Sequence, residues 1–197
     1  MTLAEDHVRE FARACVRAGL LSTDELHAEV VAAIRQDLPE RAGEADALAT
    51  AWTDEAREQL RVDQESWPEA TDYERLQSAF EEIALDDVVV LQGCEDHWAA
   101  KRLIEARTAA GTAPRGVAWF TPPDVWHAVD EGMLEVNLWH GTTANAAPGD
   151  ALLDDVLGVM EKHGLTARFD EGRIEVDAHW HRTVSYTHLR AHETSQD

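Results

Sequence analysis

The spacing of apolar residues changes character partway along the chain, and that change limits what it can fold into. Over residues 8–83 apolar side chains recur every three or four positions, the period of one helix face. Val8, Phe11, Ala12, Cys15 and Val16 form the first stripe, and Gly19 follows as a stop. Ser22 and Glu25 have capping-box spacing, in which a hydroxyl satisfies a free amide and a carboxylate reaches back to the cap. Leu26, Val30, Ile34 and Leu38 continue the pattern until Pro39, which cannot donate to a helix ladder. Leu48, Trp52, Ala56 and Leu60 make a third stripe. After Trp67-Pro68, the pair Thr71 and Glu74 repeats the capping box ahead of Leu76, Phe80 and Ile83. Four helices are expected, each wet on its other face.

Beyond residue 87 the period shortens. Val88-Val89-Val90-Leu91 is a β-branched run suited to a buried strand. A helix is expected over residues 96–110, ended by Gly111, and Val117-Ala118-Trp119-Phe120 is the next strand. Thr121-Pro122-Pro123-Asp124 reads as a helix start, with a hydroxyl cap, Pro in the first turn and an acid at the positive end of the helix dipole. Residues 134–140 alternate, placing Leu134, Val136, Leu138 and His140 on one face. A small-residue loop follows, then Asp150 as the cap of a helix carrying Leu153, Val156 and Met160. A hairpin over residues 165–180 turns at Asp170-Glu171-Gly172. The fold class is α+β: an N-terminal helical region (1–66), then a domain (67–183) whose five-stranded sheet is mixed and partly antiparallel, with helices packed on it.

Residues 184–197, with Ser185-Tyr186-Thr187-His188-Leu189-Arg190-Ala191-His192-Glu193-Thr194, resemble a translated sequencing-adapter peptide, so the tail is set aside as non-native and His188 and His192 with it. The run Trp67-Pro68-x-x-Thr71-Asp72, followed by Leu76, Ala79-Phe80 and Val88-Val89, has a recognisable pattern. So does Gly164-Leu165 with the later Arg173-Ile174-Glu175-Val176 and Trp180. Together they resemble an uncharacterised bacterial domain-of-unknown-function family, common in actinobacteria. The resemblance spans most of residues 1–183 and implies a bacterial cytosolic protein, with no activity attached. Members of that pattern carry a cysteine cluster after the first strand. Here Gly93-Cys94-Glu95-Asp96-His97 has a single cysteine, so no metal or redox chemistry carries over.

Charge and cysteine usage bound the function. A formal charge of −22 repels phosphate backbones, which argues against nucleic acid and favours a basic protein partner or a solvated acidic surface. Two lone thiols, Cys15 and Cys94, fit a reducing cytoplasm. The acidic N-terminus has no leader pattern, and no stretch approaches the ~20 apolar residues that span a bilayer.

Four clusters can carry chemistry. Cys94 and His97 stand at a strand end and a helix start, where a thiol can be activated; Glu95 and Asp96 oppose that, and a plain capping turn reads equally from the same residues. His140 leads into Gly141-Thr142-Thr143-Ala144-Asn145, a strand-end loop whose Thr142, Thr143 and Asn145 offer donors and acceptors, or simply a surface turn. His127 shares a helix face with Glu131. His179 and His181 alternate on a strand, about 7 Å apart, as half of a metal site that lacks its other ligands. Trp126 and Trp139 flank histidine-bearing turns and are candidate pocket walls. No cofactor is expected. The expected function is a non-catalytic binding module for a basic protein or a small molecule; the alternative is a hydrolase- or transferase-type enzyme with a Trp-lined, His-containing pocket.

Overall fold

The computed structural model describes residues 2–183; the expected tail at 184–197 lies outside them. Three helices come first: α1 (Leu3–Ala18), α2 (Thr23–Asp37) and α3 (Ala45–Gln64). Thr2 caps α1 by accepting from Glu5 N, and Gly19 ends it in the left-handed conformation at φ +61°. Both capping boxes form, Ser22 with Glu25 and Thr71 with Glu74. Pro39 ends α2 as expected, but it also opens a 3-10 turn (Pro39–Glu44) that leads into α3. Proline's fixed φ starts a helical turn as readily as its missing N–H stops one.

The second part runs α4 (Asp72–Leu85), β1 (Val88–Leu91), α5 (His97–Ala109), β2 (Gly116–Trp119), α6 (Pro122–Asp130), β3 (Met133–His140), α7 (Ala151–Lys162), β4 (Thr166–Asp170) and β5 (Arg173–Asp177). The sheet order is β1-β2-β3-β5-β4. β1 and β2 are parallel; the other neighbours are antiparallel, so the sheet is mixed. Leu134, Val136 and Leu138 of β3 join Ile174 and Val176 of β5 in the main core, with Leu76, Phe80 and Ile83 of α4 and Leu153, Val156 and Met160 of α7. Val8, Val30, Ile34, Trp52 and Leu60 build a separate core for the helical region. A third, small cluster sits under α5 around Ile104, Val117 and Trp119.

The last strand departs from expectation. β5 stops at Asp177, and residues 178–182 leave the sheet as a strap along the seam between the two parts. Ala178 N and Trp180 N donate to Gly132 O (2.8 Å) and Ala128 O (3.0 Å) rather than to a strand. The Trp180 indole donates to Ala18 O at 3.0 Å. Alternation alone reads this stretch as strand because Ala178 and Trp180 are buried on the strand's own period.

Candidate functional site

β1 and β2 run parallel, so their carboxyl ends share one end of the sheet. Each leads directly into a helix start, α5 and α6. Two backbone hydrogen bonds stitch these exits together, Phe120 N to Leu91 O (3.2 Å) and Cys94 N to Phe120 O (3.0 Å). Crevices at carboxyl ends of parallel strands are where open α/β sheets bind ligands. Here the helical region lies over that end. Gly93, at φ +63°, fits only because it lacks a Cβ: one would stand 2.7 Å from a Leu20 methyl at the α1–α2 turn. Phe11 of α1 meets Trp126 of α6 edge-on, ring centroids 6.1 Å apart at 86°.

That aromatic contact divides the seam into two clefts. The smaller, about 390 Å³, is bounded by Phe11, Cys15, Leu20, Leu21, Pro122 and Trp126, with Glu29 and Glu95 as its acids. Neither acid makes an ion pair among the described residues. Burial, then the Glu29 charge, push the Cys15 thiol up to about 11, so it stays protonated at neutral pH. The larger cleft, about 560 Å³, lies between α1, α3 and α6.

The expected site residues divide between the two ends of the sheet. Cys94 sits at the seam end, but its Sγ faces Asp96 O at 3.6 Å. Burial raises its pKa; a backbone hydrogen bond opposes this, and Asp96 and Asp124 add to it. Asp96 caps α5 by accepting from Ala99 N at 3.1 Å, while the exposed His97 ring lies over Trp98. Trp126 is the wall residue that the seam uses. His127 is exposed on α6. His140 is at the opposite end, paired in register with Gly116 at the start of β2. There His140 Nε2 meets Asp150 Oδ2 at 2.9 Å, and the same oxygen accepts from Ala147 N. The two hydrogen bonds, that to His140 first, lower the Asp150 pKa from its ordinary value. They also explain why Asp150 does not cap α7 with its side chain, as the sequence suggests. Thr142, Thr143 and Asn145 are exposed beside it; Asn145 bridges to Trp139, whose ring packs on Trp119 under α5. Trp126 and Trp139 therefore belong to different clusters. No hydrogen bond or ring contact joins any two of Cys94, His97, His127 and His140 among the described residues.

His179 and His181 lie on the strap, rings stacked with centroids 5.2 Å apart, and His181 stacks in turn on Trp67 at 4.4 Å. Among the described residues no group of three His, Cys, Asp or Glu side chains is placed to hold a metal. Burial first, then the His179 charge and that of Arg17 on α1, push the His181 pKa below its ordinary 6.5; Asp72 on α4 and Asp63 on α3 oppose this. Arg75 pairs with Asp72 at 3.1 Å. A histidine with a depressed folded pKa contributes stability that is complete above its unfolded pKa and declines as pH falls through it. Thermal unfolding at pH 7.5 and at pH 5 is expected to show a drop in Tm on acidification that shrinks in His181→Phe. An identical drop in the two proteins would remove His181 from the acid response.

Ion pairing leaves the surplus charge uncompensated. Among the described residues every Lys and Arg except Arg102 and Arg182 lies within 4.0 Å of a carboxylate. No described helix is long and apolar enough to cross a membrane. A family model described as Domain of unknown function (DUF6891) matches residues 2–184. No curated protein and no solved structure matches the chain.

Proposed function

We propose that this chain, which belongs to the DUF6891 family, is a non-catalytic binding module whose smaller seam cleft takes an apolar side chain from a basic protein partner. One observation carries this reading: an apolar cleft of about 390 Å³ flanked by Glu29 and Glu95, two carboxylates without ion-pair partners among the described residues. The cleft supplies apolar area for an anchor residue, and the two acids supply complementary charge for Lys or Arg beside it. Leu21, in the cleft wall and 37 % exposed, extends the apolar surface. With almost all cations already engaged, the surface has little to offer a polyanion, which favours a protein partner over nucleic acid. The setting we propose is a bacterial cytoplasm; the resemblance of the sequence and the two unpaired thiols support it. The enzymatic alternative draws less support, since its candidate nucleophile has a raised pKa and its histidines stand at separate places.

A synthetic Lys/Arg-rich peptide bearing one leucine tests the proposal by calorimetry. Binding should weaken steeply with salt, and Glu29→Lys with Glu95→Lys should cost about tenfold or more in Kd, the size of two charge attractions turned to repulsion at the rim. The leucine-free peptide should bind more weakly than the parent. Equal binding by the charge-reversed protein, or by the peptide without leucine, would refute it.

A further inference from the structure

The larger cleft has a different chemistry. It is the bigger of the two seam cavities, about 560 Å³, and its lower walls are apolar: Ala14 and Ala56 are small enough to leave space, with Leu60, Trp126 and Val129 around it. Its charges are mixed: α1 supplies Glu10 with Arg13 and Arg17, α3 supplies Asp63, and α6 supplies Asp130. Arg13 and Arg17 stand one turn apart on α1 and so share a face. Arg17 Nη2 donates to Asp63 Oδ2 at 2.5 Å, and the other Asp63 oxygen accepts from Gln59 Nε2 at 2.9 Å. Asp63 thereby fixes the guanidinium with one bond and is itself occupied on both oxygens. A guanidinium has five N–H donors, and Arg17 spends one of them on a protein acceptor among the described residues. Asp130, at the end of α6, is exposed, and its carboxylate makes no hydrogen bond or ion pair among the described residues.

We infer that this cleft binds a small zwitterion with an apolar substituent, of the class of a free amino acid with an aliphatic or aromatic side chain. Its carboxylate would meet the spare N–H donors of Arg17. Arg13, itself held by Glu10 at 2.5 Å and Glu55 at 3.5 Å, adds positive charge beside them. The ligand's ammonium would meet Asp130, and its side chain the indole of Trp126 and Leu60. A fork of guanidinium donors suits a carboxylate, and a free acid suits an ammonium. The wall charges disfavour the simpler ligand types. Glu10, Asp63 and Asp130 repel a pure anion, as does the field of a chain carrying −22. A pure cation would meet the two guanidinium groups and leave the spare donors of Arg17 without an acceptor. A ligand carrying both signs serves Arg17 and Asp130 together. The cavity is also within the range of small-molecule sites. This site goes beyond the basic-partner reading and stands on other acids, since Glu29 and Glu95 belong to the smaller cleft.

Calorimetry on the full chain with L-leucine and L-phenylalanine tests it. Each is compared with its N-acetyl form, which lacks the ammonium, and its amide, which lacks the carboxylate. The free amino acid should bind at least about tenfold more tightly than either derivative, the cost of one charge-assisted contact left unmade. Asp130→Asn should remove the preference over the N-acetyl form. Arg17→Met, which keeps the length and loses the donors, should remove the preference over the amide. Glu29→Lys with Glu95→Lys should leave amino-acid binding in place, which separates this site from the partner surface. Absence of binding by both amino acids overturns the inference. So does equal binding of all three forms, or an Asp130→Asn protein that still discriminates against the N-acetyl form. Asp130 and Arg17 are surface groups at the cleft, and circular dichroism of each variant confirms that it is folded.

Discussion

Trp180→Ala is expected to lower the unfolding free energy by about 3–5 kcal/mol, the range for emptying a buried aromatic site. The Trp180 side chain is 3 % exposed and belongs to the main core. Its ring meets Tyr73 edge-on at 4.9 Å and Phe120 at 6.0 Å, so it touches α4 and the exit of β2 at once. Its indole N–H donates to Ala18 O, the carbonyl of the last residue of α1. Truncation leaves a cavity among these rings and a carbonyl without its donor. Trp180→Phe separates the two terms. It keeps much of the ring packing and loses the N–H, so it should cost a smaller amount, on the order of 1–3 kcal/mol. Urea denaturation checks both. A loss under about 1 kcal/mol for the alanine variant would mean that the strap is not what fastens the helical region to the sheet. The seam clefts should loosen in parallel, because Arg17, Leu60 and Val129 of the larger cleft also border Trp180 and His181. A Trp180→Ala protein that folds should therefore bind amino acids more weakly than wild type.

What the sequence discloses here follows the range of each interaction. Capping boxes are contained within four residues, so Ser22 with Glu25 and Thr71 with Glu74 can be read directly and both form. Alternation in β3 predicts its buried face because the pleat dictates it. The seam is different. Phe11 reads as one more member of the α1 stripe, yet it is the residue that reaches across to Trp126. Nothing local marks which of two apolar neighbours on a helix faces its own bundle and which faces a helix more than a hundred positions later. Glu29 and Glu95 gain meaning only when α2 and the exit of β1 are brought to one cleft. In an acidic chain, two more carboxylates carry no signal. Trp126 is legible as a pocket wall since it follows a helix start, and Trp139 reads identically while lying under α5 instead. The same limit applies to His140: its link to Asp150 spans a loop whose closure the sequence does not specify.

Gly141→Ala is expected to destabilise the protein by about 1–3 kcal/mol, the cost of forcing an extra methyl into filled space. The reason is backbone against backbone. A Cβ at Gly141 would stand 1.9 Å from Pro114 O and 3.1 Å from Pro114 C, and neither atom can swing aside as a side chain can. Gly141 N also donates to Arg115 O at 3.1 Å, which holds the two segments at that separation. Relief requires the connection after β3 to move off the start of β2, where His140 is paired with Gly116. The small residue in this loop thus has a packing cause independent of any ligand at Thr142, Thr143 or Asn145. Gly158 supplies the matched contrast. It sits inside α7, where an added Cβ meets nothing within 4 Å. Gly158→Ala should raise stability by about 0.5–1 kcal/mol, through the entropy that glycine loses in a helix. Chemical denaturation of the two variants side by side checks the argument. If both shifts carry the same sign, close approach at Pro114 is not what fixes glycine at 141.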